Sequence, residues 1–289
     1  MSTSLTFDPS SFKGIEQAGW SRNAARYDEL LGSVTRHAMA PLLDAAGVKS
    51  GTAVLELCCG PGYGSATALT RGAFPVGIDF APSMIEQARA LHPGARFEQG
   101  DAEALTFEAN SFDAIICPFG INHLADPEKG VREAFRVLRP GGHFAFTMWC
   151  APGKSKFHQL VLDAIRSHGT LNVPMPAAPP PFRFSDPEAC SHILLSMGFE
   201  APKVDEVKLA FRTNNSKDVL DLALSAVRME MMIKLQTPNA QARIEQEIVE
   251  GTRRFSLGGQ LEVPMPALVA SALKPNVSVS RQRGCEDAA

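Results

Sequence analysis

The alternation of apolar and polar positions divides the chain into segments with the periods of strands and helices. Between Thr52 and Trp149, short apolar runs predict strands at TAVLEL, FPVGID, ARFEQG, FDAIICP and HFAFTMW. Helical periods lie between these runs, near residues 64–71, in APSMIEQARALH and over residues 127–138. Most of the strand runs are almost continuously apolar, which is typical of parallel strands covered by helices on both faces. The alternation therefore predicts a doubly wound α/β sheet.

On both sides of this region the pattern is mainly helical. Residues 21–32 and 33–46 predict two helices, the first with Ser21 as its N-cap. After Trp149, helices are predicted over residues 154–168, in SDPEACSHILLSMGF, and over residues 216–235 and 239–254. Strands are predicted in VDEVKLAFR and in LEVPMPALVASALK, where prolines interrupt the beginning.

These segments suggest a division of the chain into four parts. We expect N-terminal helices over residues 1–50, a ligand-binding core over residues 51–150, the rest of the sheet with inserted helices over residues 151–273, and a flexible tail over residues 274–289. The stretches 151–183 and 213–258 are too long for simple connections. We therefore expect them to form a lid of helices above the strand ends.

Composition narrows the classes of function. The 289 residues are 45% hydrophobic and 20% charged, which is typical of a globular protein with a sizeable core. A formal net charge of −3 gives no basic surface for nucleic acid, and no apolar stretch has the length of a membrane span. The N-terminal residues lack the apolar core of a secretory signal. The six cysteines show no CxxC spacing, so we expect free thiols, no metal and a cytoplasmic location.

The stretch VLELCCGPGYGS, residues 54–65, carries the first chemical signal. Glycines at alternate positions let the backbone turn sharply and let a ligand approach the main chain. A tight turn without any ligand is the simpler interpretation of such a loop. The loop has no lysine after its glycines, so it is not a phosphate-binding P-loop, and Glu56 before it would repel a pyrophosphate.

Two further acids follow the next predicted strands. Asp79 ends FPVGID, and Asp101 follows ARFEQG. Because the carboxyl ends of neighbouring parallel strands form the ligand crevice of such sheets, Glu56, Asp79 and Asp101 should meet there. One acid can accept both hydroxyls of a ribose, another the amino group of a purine, and the third can attract a cationic end. S-adenosylmethionine combines all three features.

Four stretches together resemble the class I S-adenosylmethionine-dependent methyltransferases, particularly the small-molecule group that includes the ubiquinone and menaquinone C-methyltransferases. They are VLELCCGPGYGS, VGIDFAPSMIEQAR, EQGDAEALTFEANSFDAIICPFGINHL and REAFRVLRPGGHFAFTMW, in that order over residues 54–149. One departure is Cys58, which stands where many members have a glycine. The resemblance implies a Rossmann-like, mostly parallel sheet of seven strands, with the last strand antiparallel and the methyl donor lying over the first strands.

The resemblance also implies which residues hold S-adenosylmethionine. Glu56, Cys58, Gly60 and Gly62 should lie at its methionine end, and Asp79 should accept the ribose hydroxyls. The remaining expected contacts are Phe80 and Met84 beside the sugar and base, Asp101 and Ala102 at the adenine, and Cys117, Pro118 and Phe119 below the sulfonium.

Candidates for acceptor chemistry are fewer. His123 follows the fourth predicted strand of the core and could remove a proton, although it could equally hydrogen-bond the loop. Tyr27 is a second candidate, with simple packing as its alternative. The expected acceptor pocket consists of Trp20, Tyr27, Phe119, His123, Trp149 and Phe182, although buried aromatic residues are common in any core.

The sequence thus predicts transfer of a methyl group from S-adenosylmethionine to oxygen, nitrogen or carbon of a small organic molecule. A nucleotide-dependent oxidoreductase on a similar sheet and a non-catalytic S-adenosylmethionine-binding protein remain as alternatives. A small acceptor is expected rather than nucleic acid or a membrane. The acceptor's identity, the need for a base and the oligomeric state stay open.

Overall fold

The computed structural model describes residues 7–276; the predicted flexible tail lies outside them from residue 277 onward. The helices are α1 Pro9–Tyr27, α2 Leu31–Thr35, α3 Met39–Ala45, α4 Tyr63–Thr70, α5 Pro82–Leu91, α6 Pro127–Val137, α7 Lys156–His168, α8 Pro187–Ser196, α9 Ser216–Ser225, α10 Val227–Lys234 and α11 Pro238–Gly251. The strands are β1 Ala53–Leu57, β2 Phe74–Asp79, β3 Arg96–Gln99, β4 Phe112–Cys117, β5 Leu138–Trp149, β6 Glu200–Val207, β7 Ala210–Thr213, β8 Ser256–Leu257, β9 Gln260–Pro264 and β10 Ala267–Leu273.

A seven-stranded sheet forms the centre of the molecule, in the order β3-β2-β1-β4-β5-β10-β6. The pairs β1–β2, β1–β4, β2–β3 and β4–β5 are parallel, whereas β10 runs antiparallel to both β5 and β6. This confirms the predicted doubly wound, mostly parallel sheet of seven strands. Because the strand order reverses at β1, the carboxyl ends of β1 and β4 open the crevice where ligands bind in such sheets.

Several helices begin with the same local arrangement, an acid or threonine followed by proline. The side chains of Asp8, Asp126, Asp186 and Thr237 each accept a hydrogen bond from a backbone N–H of the first turn. The proline that follows needs no partner for a donor, because it has no N–H. These caps fix where α1, α6, α8 and α11 start.

The N-terminal helix corrects the prediction for residues 21–32. It begins at Pro9, not near Ser21, and ends at Tyr27. Its buried face consists of Phe12, Glu16, Gly19, Asn23 and Ala24. These positions have helical spacing, but only two of them carry an apolar side chain larger than a hydrogen atom, so the hydrophobic period that marks a helix is weak. The short α2 and α3 replace the second predicted helix.

The inserted segments build a second core beside the sheet. Helices α7, α9, α10 and α11 pack with α2 and with a small sheet of order β7-β9-β8, around apolar residues such as Phe157, Val219 and Ile244. The small sheet was not predicted, because each of two predicted strands divides: VDEVKLAFR gives β6 and β7, and LEVPMPALVASALK gives β9 and β10. The helix predicted over residues 216–235 is broken at Ala226, whose backbone is extended with φ −93° and ψ 118°.

Within residues 7–276, no helix combines the length and the apolar character that crossing a membrane requires.

Candidate functional site

A deep cavity opens at the carboxyl ends of β1, β2, β3 and β4, under the N-terminal helix. It encloses about 980 Å³ between atoms, including space open to solvent. Of the predicted site residues, those that line it are Trp20, Tyr27, Glu56, Cys58, Gly60, Asp79, Phe80, Met84, Asp101, Ala102, Pro118, Phe119, His123 and Trp149. The structure therefore brings most of the predicted residues to one place.

Three predicted residues lie outside the lining. Gly62 is one position behind the loop, where it caps α4 with φ 84°. Cys117 is buried below the loop, beside Cys58 and Gly120. Phe182 packs edge-on against His158, with ring centroids 5.3 Å apart, on the side of α7. It follows the proline-rich segment, which places its ring against this helix and not at the strand tips.

Asp79, at the end of β2, is held by the backbone of two loops. One carboxylate oxygen accepts from the Gly60 N–H at 2.9 Å, and the other accepts from the Ala81 N–H at 2.9 Å. The side chain is nearly buried, and burial raises its pKa although these hydrogen bonds oppose the rise. The two bonds fix the carboxylate beside the glycine loop and leave lone pairs free on both oxygens.

Glu56, at the end of β1, is fully buried and bound to the start of α4. It accepts from Gly64 N at 3.1 Å, Ser65 N at 2.7 Å and Ser65 Oγ at 2.6 Å. An acid at a helix N-terminus satisfies backbone donors that have no partner within the helix. Burial nevertheless raises the pKa of Glu56 to about 7. Glu56 therefore stabilises the loop in addition to lining the cavity.

The loop between these acids has a left-handed backbone at several positions. Gly60 has φ 50°, and Cys58 adopts φ 51° although it is not a glycine. The Cys58 thiol interacts with Cys117, and this hydrogen bond, together with burial, raises the pKa of Cys58 well above its ordinary value. Cysteine thus fits the turn that glycine usually makes, at the strain that a side chain has at positive φ.

Asp101, after β3, has a partner that the sequence did not reveal. Lys13 of α1 extends to its Oδ2 at 2.7 Å and to Glu103 Oε2 at 2.8 Å. Glu103 is almost fully buried and also accepts from the backbone of Ala125 and Asp126. Lys13 and Glu103 both line the cavity. The end of the cavity near Asp101 therefore contains a cation between two acids.

Aromatic side chains also line the cavity. Phe119 and Trp149 stack with centroids 4.2 Å apart, and Trp20 meets the His123 ring edge-on at 4.9 Å. Tyr27 lies against Trp20 at 6.0 Å, and burial raises its pKa to about 12. A tyrosine with this pKa is protonated at neutral pH and acts as a hydrogen-bond donor, not as a base.

His123 has a buried acid as its neighbour. Its Nδ1 lies 2.8 Å from Glu16 Oε2, and this oxygen also accepts from Trp20 Nε1 at 3.0 Å. Glu16 is fully buried in α1. The positions Lys13, Glu16, Trp20 and Tyr27 follow one another at spacings of three, four and seven residues, so they share one face of α1. This spacing is the signal that could have identified Lys13 and Glu16 once the helix is known to begin at Pro9.

Comparison with known proteins agrees with this geometry. Residues 55–146 match the family described as Methyltransferase domain. A demethylmenaquinone methyltransferase of Beutenbergia cavernae is 35% identical over 118 residues, which are 41% of this chain and 49% of that protein. The protein of the same name from Clavibacter sepedonicus is 34% identical over 128 residues, 43% of this chain and 49% of that protein. The chain thus spans about half the length of these curated relatives.

Solved structures show the same fold. The YcgJ protein of Bacillus subtilis superposes with a TM-score of 0.54 and 20% identity, covering 83% of this chain and 99% of that one. At this identity the likeness establishes the fold and not the activity.

Proposed function

We propose that the protein transfers a methyl group from S-adenosylmethionine to a small organic acceptor, as a class I S-adenosylmethionine-dependent methyltransferase; the match of residues 55–146 to the Methyltransferase domain family supports this. The observation that carries the proposal is the convergence of Asp79, Asp101 and Gly60 on one cavity at the tips of neighbouring strands. A cytoplasmic location and the four-part division of the chain remain predictions from the sequence.

The polar end of the cavity suits a nucleoside with a cationic amino-acid tail. Asp79 keeps acceptor capacity for two ribose hydroxyls after binding Gly60 and Ala81. We expect Asp101 and the backbone of Ala102 to contact the adenine, with Met84 and Phe80 as apolar contacts, because all four residues line the cavity. We expect Glu56 to lie near the methionine end, where a pKa of about 7 leaves it only partly ionised at neutral pH. It also acts through the loop, because both of its oxygens already accept hydrogen bonds.

When bound, S-adenosylmethionine supplies an electrophilic methyl group on a positively charged sulfur. The protein's residues then have to align the acceptor with that carbon and exclude water. Such positioning contributes about 7 to 11 kcal/mol toward lowering the barrier. Phe119 and Trp149 form a dry wall, and Trp20 and Tyr27 close the cavity from the side of α1.

The aromatic walls favour a flat acceptor. Stacked rings such as Phe119 and Trp149 present faces on which a planar molecule can pack. The relatives named demethylmenaquinone methyltransferases act, by that name, on demethylmenaquinone. We extend the proposal to a planar aromatic or conjugated acceptor, with the second core around α7 and α9–α11 as the lid beside it.

Calorimetric titration with S-adenosylhomocysteine tests the proposal. Wild-type protein should bind it, and Asp79→Ala should weaken binding at least about 100-fold, because hydrogen bonds to a charged group contribute about 1.5 to 3 kcal/mol each. Asp44→Asn is the matched control, since Asp44 lies on the surface and pairs with Arg71. Absence of binding by the wild type would contradict the proposal, and tight NADH binding would favour an oxidoreductase.

The acceptor can be found by incubating the protein with methyl-tritiated donor and a small-molecule extract, then identifying labelled products by mass. Donor binding without any transfer would favour a non-catalytic binding protein. Label on a flat conjugated product would support the acceptor class.

A further inference from the structure

Glu16 is an unusual residue for the buried face of a helix. Its side chain is fully buried, and its Oε1 has no hydrogen-bond partner among the described residues. Burying a carboxylate costs free energy unless hydrogen bonds and opposite charge compensate. The compensation comes through Oε2 alone, which contacts Trp20 Nε1 and His123 Nδ1. An apolar residue would pack in α1 at lower cost, so packing does not explain the acid.

The contact between Glu16 Oε2 and His123 Nδ1 determines which ring nitrogen of His123 carries the hydrogen. An ionised carboxylate only accepts hydrogen bonds, so Nδ1 must carry the hydrogen. In the neutral ring Nε2 then holds the lone pair. The side-chain amide nitrogen of Asn122 lies 3.2 Å from Nε2, in agreement with an N–H donating to this lone pair, so an acceptor hydroxyl has to replace Asn122 there. His123 lines the cavity, so the lone pair of its Nε2 is then available there, and the contact of Nδ1 with Glu16 fixes the tautomer.

We propose that Glu16 is a positioning residue, which holds His123 in the tautomer with hydrogen on Nδ1 so that Nε2 removes a proton from a hydroxylated acceptor. This rests on the proposed methyl transfer. The acceptor O–H bond breaks, its proton moves to Nε2, and the electron pair left on oxygen forms the bond to the methyl carbon. The carbon–sulfur bond breaks with its electron pair on sulfur. The Glu16 carboxylate balances the positive charge that His123 gains.

The proposal narrows the acceptor to a molecule with an ionisable hydroxyl, such as a phenol or an enol. An amine that is already unprotonated needs no such base. Other charged groups close to the pair are Asp79 at the tip of β2 and Arg228 in α10, a helix that packs on α1. The carboxylate of Asp79 attracts a positive charge on His123, and Arg228 helps to compensate the Glu16 charge.

The tautomer can be measured directly, without an acceptor, by long-range ¹H–¹⁵N NMR of the histidine rings, with His123→Gln identifying the signal. In wild type, neutral His123 should carry hydrogen on Nδ1. Glu16→Gln keeps an acceptor oxygen and should keep this tautomer, whereas Glu16→Met removes the acceptor and should shift the ring toward hydrogen on Nε2. Wild-type His123 with hydrogen on Nε2, or an unchanged spectrum in Glu16→Met, would overturn the proposal.

Turnover with the acceptor from the labelling screen gives a second readout. Glu16→Met should lower kcat at least about 100-fold, the usual contribution of a general base, with little change in the KM for S-adenosylmethionine. Its rate should rise with pH toward the ionisation of the acceptor, whereas the wild-type rate should reach a plateau at lower pH. Glu16→Gln should lower kcat although its tautomer is native, because it lacks the balancing charge.

A matched control separates positioning from a purely structural role. Asn23 lies on the same face of α1 and donates to the Ser225 carbonyl at 3.0 Å. Asn23→Ala should loosen α1 and leave the His123 tautomer and the pH profile unchanged. If Asn23→Ala and Glu16→Met changed the His123 tautomer and the pH profile equally, Glu16 would only anchor the helix. Failure of the wild type to bind S-adenosylhomocysteine would refute the methyltransferase and leave the tautomer result standing.

Discussion

At the scale of single residues, the candidate site is organised before any ligand arrives. Asp79 is oriented by the N–H groups of Gly60 and Ala81, Glu56 by the start of α4, and Asp101 by Lys13 and the backbone of Glu103. Acids held in this way need little reorganisation when a ligand binds. Their electrostatic cost appears in the raised pKa values of Glu56 and Asp79.

His158 gives a pH prediction at this scale. It is buried, its Nδ1 lies 2.6 Å from Ser155 Oγ, and burial lowers its pKa to about 4. The unfolded chain binds a proton here near pH 6.5, and the folded chain does not. Below pH 6.5 protonation therefore favours the unfolded chain. The free energy of unfolding should fall by about 3 kcal/mol from this group as the pH decreases from above 6.5 to 4.

Urea unfolding of wild type and His158→Gln between pH 7.5 and 4 measures this contribution. The variant should lose less stability with acidification, by about the same 3 kcal/mol. His37→Gln, which changes an exposed histidine, should follow the wild-type curve. Parallel curves for wild type and His158→Gln would contradict the prediction.

At the scale of elements, two glycines of the loop between β1 and α4 have different roles. Gly62 has φ 84°, and a Cβ on it would lie 2.5 Å from Phe97 Cζ. Gly60 has φ 50°, and a Cβ on it would meet no atom within 4 Å. Gly62 therefore serves packing behind the loop, and Gly60 leaves space on the cavity side.

Alanine substitutions should show this difference. Gly62→Ala should destabilise the protein by at least about 2 kcal/mol, from backbone strain together with overpacking. Gly60→Ala should cost only about 1 to 2 kcal/mol of strain but should weaken S-adenosylhomocysteine binding, because its methyl group projects into the cavity. Chemical unfolding and calorimetric titration of both variants provide the comparison. Tighter binding by Gly60→Ala than by Gly62→Ala would contradict it.

The sequence predicted those elements whose formation depends on the local pattern of apolar residues and helix caps. Strands β1, β2 and β4 and the second half of β5 carry apolar runs, and helix α6 has a clear cap. Asp79 ends β2, and Asp101 follows β3, as the pattern predicts. Helix α1 was misplaced because its inner face contains Glu16 and Asn23, which pair with His123 and Ser225 far along the chain. Lys13 was missed for the same reason. Hydrophobic periodicity does not reveal polar pairs between residues that are distant in the sequence.

At the scale of the whole molecule, α1 closes the cavity over the sheet. Lys13 reaches Asp101 and Glu103, Gln17 donates to the Phe80 carbonyl at 2.6 Å, and Glu16 meets His123. These contacts join residues near the beginning of the chain to the tips of three strands. A ligand in the cavity would contact both α1 and the ends of the strands.

Hydrogen exchange should reveal this coupling. S-adenosylhomocysteine at 100 times its Kd stabilises the folded state by about 2.7 kcal/mol. Amide exchange should therefore slow in residues 9–27 and 57–65, beyond any general change seen in residues 238–251, which lie in the second core. Protection of the loop without protection of residues 9–27 would show that α1 does not cover the ligand.

The position of β10 has a consequence for synthesis on the ribosome. Domains begin folding as the chain emerges, yet β6 reaches the sheet only through β10, which is inserted between β5 and β6. Until residues 267–273 emerge, the exposed side of β5 lacks its neighbour, while α9, α10 and α11 have already been translated. For this interval a nascent chain therefore carries an open hydrogen-bonding edge on β5, with which another extended segment can pair.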